Sequence, residues 1–209
     1  MRYERKYRIE NQQYLQVLHA MKALPGAFTQ AFADRWVNSI YLDNTDFRAM
    51  HENLSGVSDR SKYRLRWYGD HYQIIDKPIL EEKIKHNLLG YKKNIGLENG
   101  EISADSLRQI LQIPFLQDIG LYPVVMVRYL RTYLESYDHL VRITIDRSIE
   151  YRGVSSYSLD PFPIRDEAII LEIKYDQEIE ADIDYILQSV KYRLTKNSKF
   201  VCGMFGYWG

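Results

Sequence analysis

A chain of 209 residues, 45% hydrophobic and 27% charged, suits one sizeable domain spanning 1–209 better than two independent cores. Its 28 Lys and Arg balance 28 Asp and Glu, which argues against general nucleic-acid binding through overall charge. The lone Cys202 excludes an intramolecular disulfide or a Cys-based zinc site, and no apolar run approaches the ~20 residues of a membrane span.

The charged opening Met1-Arg2-Tyr3-Glu4-Arg5-Lys6 does not read as a signal peptide, so the expectation is a soluble, cytoplasmic protein. Residues 2–9 alternate as a strand does, with Arg2, Glu4, Lys6 and Arg8 on one side. Asn11 is placed to cap a helix over 12–24, closed by Pro25-Gly26. Arg35–Asp43 reads as a strand, followed by a turn and short helix over Asn44–Asn53 that ends at Gly56. Lys62–Tyr68 and Pro78–Lys85 read as consecutive strands around the turn signal Gly69-Asp70. The polar, glycine-bearing stretch Asn87–Gly100 predicts a loop. Ser103–Ile119 predicts a helix through Leu107, Ile110 and Leu111, interrupted near Pro114. Three more strands are expected over Pro123–Ser136, Leu140–Ile149 and Ala168–Asp176. An amphipathic helix follows over Glu180–Leu194, striped by Ile183, Ile186, Leu187 and Val190. Thr195–Gly209 has no firm pattern. Many strands joined by short turns, with few helices, give α+β.

Within the strands one pattern returns. Arg64 and Arg66 share a face, as do Glu81, Lys83 and Lys85, Tyr129 and Arg131, Arg142, Thr144 and Asp146, and Glu172 and Lys174. The opposite faces are apolar. A charged face on a single strand ordinarily meets water. Here Arg and Lys predominate, one Glu stands near them on three strands, and three apolar-striped helical segments could cover the other side. If they do, the charged faces turn inward, and a small closed barrel has room for side chains and a slender ligand. Buried cations in that number call for a polyanion. The carboxylates among them, Glu4, Glu81 and Glu172, then suit Mg²⁺ or Mn²⁺ shared with phosphate oxygens. No P-loop, GxGxxG or kinase signature suggests another route. The five histidines show no ligand spacing.

The segments RYERKY (2–7), SIYLDN (39–44), YRLRWYG (63–69), LEEKIKH (80–86), YLRTYLES (129–136), VRITID (141–146), ILEIKY (170–175) and KNSKF (196–200) together resemble the VTC domain. This is the polyphosphate polymerase domain of the triphosphate tunnel metalloenzyme superfamily, related to the CYTH proteins. Arg2 stands where the superfamily's ExExK motif has its first Glu, as in the VTC branch, and the bare domain resembles bacterial stand-alone versions. The resemblance implies a closed eight-stranded antiparallel barrel, helices packed outside it, and transfer of the ATP γ-phosphate onto a polyphosphate chain. Carried over by motif, Lys6, Arg64, Arg66, Lys83, Arg131, Arg142 and Lys199 bind phosphates, and Lys196 assists. Tyr129 hydrogen-bonds a phosphate, Glu172 holds the metal, and Glu4 and Glu81 are weaker candidates for it. Lys85, Lys92 and Lys174 add positive charge. Two other readings use nearly the same residues: hydrolysis of inorganic or nucleoside triphosphate, and a non-catalytic polyphosphate-binding module. A membrane-protein partner is left open.

Overall fold

The structure, a computed structural model, describes residues 2–72, 77–86, 89–95, 114–155 and 158–208. Among them run β1 (Arg2–Ile9), α1 (Tyr14–Lys22), β2 (Thr29–Asp43), α2 (Arg48–Leu54), β3 (Asp59–Tyr68), β4 (Ile79–His86) and β5 (Leu89–Ile95). Then come α3 (Pro114–Asp118), β6 (Tyr122–Glu135), β7 (Arg142–Ser155), β8 (Ser158–Leu159), β9 (Ile164–Asp166) and β10 (Ile169–Asp176). A 3-10 turn (Gln177–Ile179), α4 (Asp184–Gln188) and α5 (Lys199–Trp208) complete the chain. The expected α+β class with antiparallel strands holds. No helix among the described residues is long and apolar enough to cross a membrane.

The chain divides into two compact units: Met1–Arg35, Tyr129–Ile149 and Asp166–Asn197 form the first; Trp36–Arg128, Glu150–Arg165 and Ser198–Gly209 form the second. In the first, β10 pairs antiparallel with β1 on one side and with β7 on the other. The apolar faces of these strands (Tyr7, Ile9, Val141, Ile143, Ile145, Leu171, Ile173, Tyr175) pack with Val17 and Met21 of α1 and with Ile183, Ile186 and Leu187. The helices thus cover the apolar side, as the sequence predicts. In the second unit β2, β3, β4 and β5 pair in that order, all antiparallel. Ile40, Leu42, Leu65, Trp67 and Leu80 make its core with Leu116 of α3 and Met126 of β6. The opposite face, near β6 and β7, receives α5. A Cβ on Gly203 would meet Val125 Cγ2 and Tyr151 Cδ1 at 2.9 Å, so only glycine lets this helix approach so closely. Within each unit the pairings are those of an open sheet, so by themselves they do not establish a closed eight-stranded barrel.

Several expectations change. The loop read over 87–100 contains β5. Lys93 interrupts the apolar parity of Leu89, Tyr91 and Ile95, and Tyr91, Lys92, Lys93 and Asn94 are all exposed, so alternation announces the strand only weakly and its ladder to β4 supplies the order instead. Of the helix read over 180–194 only α4 forms, and the 3-10 turn lies just before that range. Beyond them the chain serves the edge of β1: Leu194 bridges Tyr7, the Thr195 N–H donates to the Lys6 carbonyl at 2.8 Å, and Arg8 N–H donates to Thr195 Oγ1 at 3.0 Å. Backbone committed to a strand cannot continue a helix. Asn11 sits at φ 58° rather than capping; the N-cap is Gln13, whose N–H donates to the Gln16 side chain. β2 begins six residues before the strand predicted at Arg35, β8 and β9 are additional, and the tail is helical. Most of the helix predicted over 103–119 lies outside the described residues; Pro114 opens α3, where its missing N–H costs nothing.

Candidate functional site

Burial settles which way the charged faces turn. Asp146 is 0% exposed, Glu172 and Arg66 6%, Glu81 7% and Arg131 8%. Ions held away from water persist only when paired or liganded, and in both units they are paired with one another.

In the first unit the register across β1, β10 and β7 sets two rows on one face: Lys6–Glu172–Thr144 and Glu4–Lys174–Arg142. The two carboxylates share the two lysines. Lys6 Nζ lies 3.3 Å from Glu172 and 3.5 Å from Glu4, and Lys174 Nζ lies 3.0 Å from Glu172 and 3.3 Å from Glu4. Arg131 adds a third cation at 3.9 Å from Glu172. It is itself gripped by Asp146, with Nε–Oδ1 2.5 Å and Nη2–Oδ2 2.7 Å, and lies over the Tyr129 ring at 5.0 Å. Burial opposes its charge, but Asp146 beside it pushes the guanidinium well above its ordinary pKa, so it stays charged. Opposite Glu172, the Thr144 hydroxyl oxygen is buried with no hydrogen-bond partner among the described residues.

In the second unit β2, β3, β4 and β5 align Tyr41–Arg64–Glu81–Asn94 and, one step along, Lys62–Lys83–Lys92. Glu81 is the counter-ion of the cluster: Arg64 Nε donates to it at 2.5 Å, Lys92 Nζ at 3.2 Å, and Arg66 stands at 3.7 Å. Burial works against its ionisation, yet the charges of Arg64, Arg66 and Lys92 hold its carboxyl down at about 2. Lys92 moves the other way. Lys92 is exposed as a residue, but its ammonium reaches into the cluster at Glu81, where desolvation, then the like charges of Arg64 and Arg66, bring it to about 8. The start of α5 belongs to the same neighbourhood, since Lys62 Nζ donates to Ser198 Oγ at 3.1 Å and Lys199 is buried.

The predicted site residues therefore fall into two groups. Lys6, Glu4, Tyr129, Arg131, Glu172 and Lys174 gather in the first unit; Arg64, Arg66, Glu81, Lys83 and Lys199 gather in the second. Lys85 continues the second group along β4. Two lie apart from these contacts: Arg142 is solvent-exposed and donates to Glu135 at 2.8 Å, and Lys196 is exposed in the extended segment before α5. Asp146, Lys62 and Tyr41 were not nominated, although the strand alternation that places Arg64 and Arg131 also places them.

Glu172 and Glu4, two hard carboxylates at a shared position beside the unpartnered Thr144 hydroxyl, fit a divalent cation. Among the described residues no three acids, histidines or cysteines gather closely enough to hold one alone. Glu81 belongs to the other unit and has three cations about it, as Glu172 has Lys6, Lys174 and Arg131.

Comparison with curated protein sequences finds no match. Among solved structures, the chain is similar to an adenylate cyclase candidate from Vibrio parahaemolyticus (13% identity, TM-score 0.55, covering 96% of this chain and 97% of that one). It is similar also to an adenylyl cyclase candidate from Hippeastrum described as having a dominant triphosphatase activity (15%, 0.54, 99% and 96%). A third likeness is to a chain of the Schizosaccharomyces pombe Mediator head module (11%, 0.56, 92% and 96%). At these identities the likeness is one of fold. The family model of the VTC domain matches residues 1–205, nearly the whole sequence. The chain belongs to the VTC domain family, as its strand motifs predict.

Proposed function

We propose that the whole chain, 1–209, acts in the cytoplasm as a metal-dependent polyphosphate polymerase. It transfers the ATP γ-phosphate onto a polyphosphate chain inside a basic tunnel formed by closure of eight antiparallel strands. The observation that carries the phosphate reading is the row Lys62–Lys83–Lys92. Like charges directly opposite on neighbouring strands repel, and here three ammonium groups stand in register with Arg64 and Arg66 beside them. Such a row is favourable when a polyanion lies along it.

In this reading Lys6, Arg64, Arg66, Lys83, Arg131, Arg142 and Lys199 hold phosphate oxygens, with Lys85, Lys174, Lys196 and Tyr129 adding contacts. Glu81 and Asp146 aim Arg64 and Arg131. Glu172, with Glu4, holds Mn²⁺ or Mg²⁺, which when bound neutralises charge on the phosphate oxygens. The reaction needs positioning and charge neutralisation rather than a protein nucleophile. Hydrolysis of triphosphate is the second reading, supported by the activity described for the Hippeastrum protein; there water replaces the chain end as acceptor.

Purified protein incubated with ATP and Mn²⁺, with and without a short polyphosphate primer, is expected to give long chains on a polyphosphate gel. Orthophosphate as the sole product would move the assignment to hydrolysis, and no turnover at all would leave a binding module.

The Lys92 ammonium gives a pH signature. With its pKa lowered to about 8, the group is charged below that pH and neutral above it, so anion affinity falls as pH rises through 8. One charged contact contributes about 1.5 kcal/mol, so tripolyphosphate binding should weaken roughly tenfold between pH 7 and pH 9. Binding above pH 8 should take up a proton, read from calorimetry in buffers of different ionisation enthalpy. Lys92→Met should flatten the profile; an unchanged profile in the variant would rule this out.

A further inference from the structure

The face that carries Arg64 and Arg66 also carries a phenol. Alternation along β2 places Ser39 and Tyr41 opposite Arg66 and Arg64 respectively. Tyr41 is 8% exposed, and its ring packs on Phe200 of α5 at 5.2 Å between centroids, which fixes the side chain's direction. Its hydroxyl accepts a hydrogen bond from Arg64 Nη1 at 3.3 Å.

That bond uses a lone pair of the phenol and leaves its proton unassigned. No acceptor for it is found among the described residues. Glu81, the carboxylate of this cluster, is engaged by Arg64, Lys92 and Arg66. A buried donor left without an acceptor is costly, and the charges that act most strongly on this hydroxyl, those of Arg64, Arg66 and Lys199, are cations. Burial raises a phenol's pKa, but here these three cations outweigh it and lower the pKa, which makes the hydroxyl a stronger donor. The complement of a buried donor ringed by cations is an anionic oxygen.

We propose that Tyr41 is a further substrate-binding residue, its hydroxyl donating a hydrogen bond to a phosphate oxygen held by Arg64 and Arg66. The proposal deepens the phosphate reading and rests on it. Selectivity follows: a neutral or cationic ligand cannot satisfy both the arginines and the phenol, whereas a phosphate chain offers oxygens to each.

Tyr41→Phe removes the hydroxyl and keeps the ring on Phe200. Titration of the metal-free protein with tripolyphosphate in a calorimeter, paired with a thermal melt of the free protein, tests the idea. The expected result is roughly tenfold weaker binding with an unshifted melting midpoint. Equal affinity in wild type and variant overturns it. Weaker binding accompanied by a midpoint lowered by several degrees also overturns it, because the hydroxyl then serves only to hold Arg64 in the free protein. A wild-type protein that binds no tripolyphosphate defeats the phosphate reading itself and is recognised in the first titration, before the variant is compared.

Discussion

Glu172→Gln is expected to lower metal-dependent turnover of ATP by at least about a hundredfold while leaving tripolyphosphate binding intact. The substitution keeps the side chain's size and one carbonyl acceptor, so the local packing survives. What it removes is one negative charge from between Lys6, Lys174 and Arg131, which lie 3.3, 3.0 and 3.9 Å from the carboxylate. A divalent cation loses its better-buried ligand, and losses of two to three orders of magnitude are usual when a preorganised charge-stabilising group is deleted. For an anion the sign is opposite. The three cations keep their charge and lose a competitor, so metal-free affinity for tripolyphosphate should stay equal to wild type or rise. The two readouts must therefore diverge: turnover with Mn²⁺ on one side, calorimetric binding without metal on the other. Full activity in the variant would remove Glu172 from the metal site; parallel loss of both would mean that the residue only props the cluster.

The same residues show what strand parity can and cannot reveal. The faces read from alternation on β1, β7 and β10, Lys6 with Glu4 and Glu172 with Lys174 among them, recur in the register of these three strands. Alternation is local, and the pleat enforces it. Which face is buried is not local: it was inferred from the apolar helices available to cover the other side, and Ile183, Ile186 and Leu187 do cover it. The helix carrying them was overestimated because its apolar stripe continues to Val190, while the hydrogen bonds of Thr195 to β1 are tertiary and leave no periodic trace. β5 was missed for the converse reason. Its Lys92 and Lys93 look like loop residues, yet the lysine row across three strands can be seen only once β5 is paired with β4. Asp146 stood on the right face but was not nominated. A lone Asp among arginines reads as charge balance until its two short contacts with Arg131 are seen.

Those contacts lead to the largest expected effect on stability. Asp146→Ala should destabilise the protein by about 3–5 kcal/mol, because it leaves the Arg131 guanidinium buried without its bidentate partner. The nearest remaining carboxylate is Glu172 at 3.9 Å, already engaged by two lysines, and the Tyr129 and Tyr133 rings at 5.0 and 5.8 Å cannot replace an ion pair. For a chain of this size such a loss corresponds to a melting midpoint lower by roughly 10 °C, and urea unfolding should show it as a shifted midpoint at unchanged slope. A change under about 1 kcal/mol would mean that the pair is hydrated rather than buried. The double substitution Arg131→Met with Asp146→Leu separates the pair's two roles. Well-packed apolar residues of similar volume commonly replace a buried ion pair without loss, so the double variant should recover most of the stability. It should not recover binding of tripolyphosphate, because the guanidinium is gone. Stability restored while affinity stays low would show that Asp146 and Arg131 lie buried to hold a cation ready for phosphate, and that the fold itself does not depend on their charge.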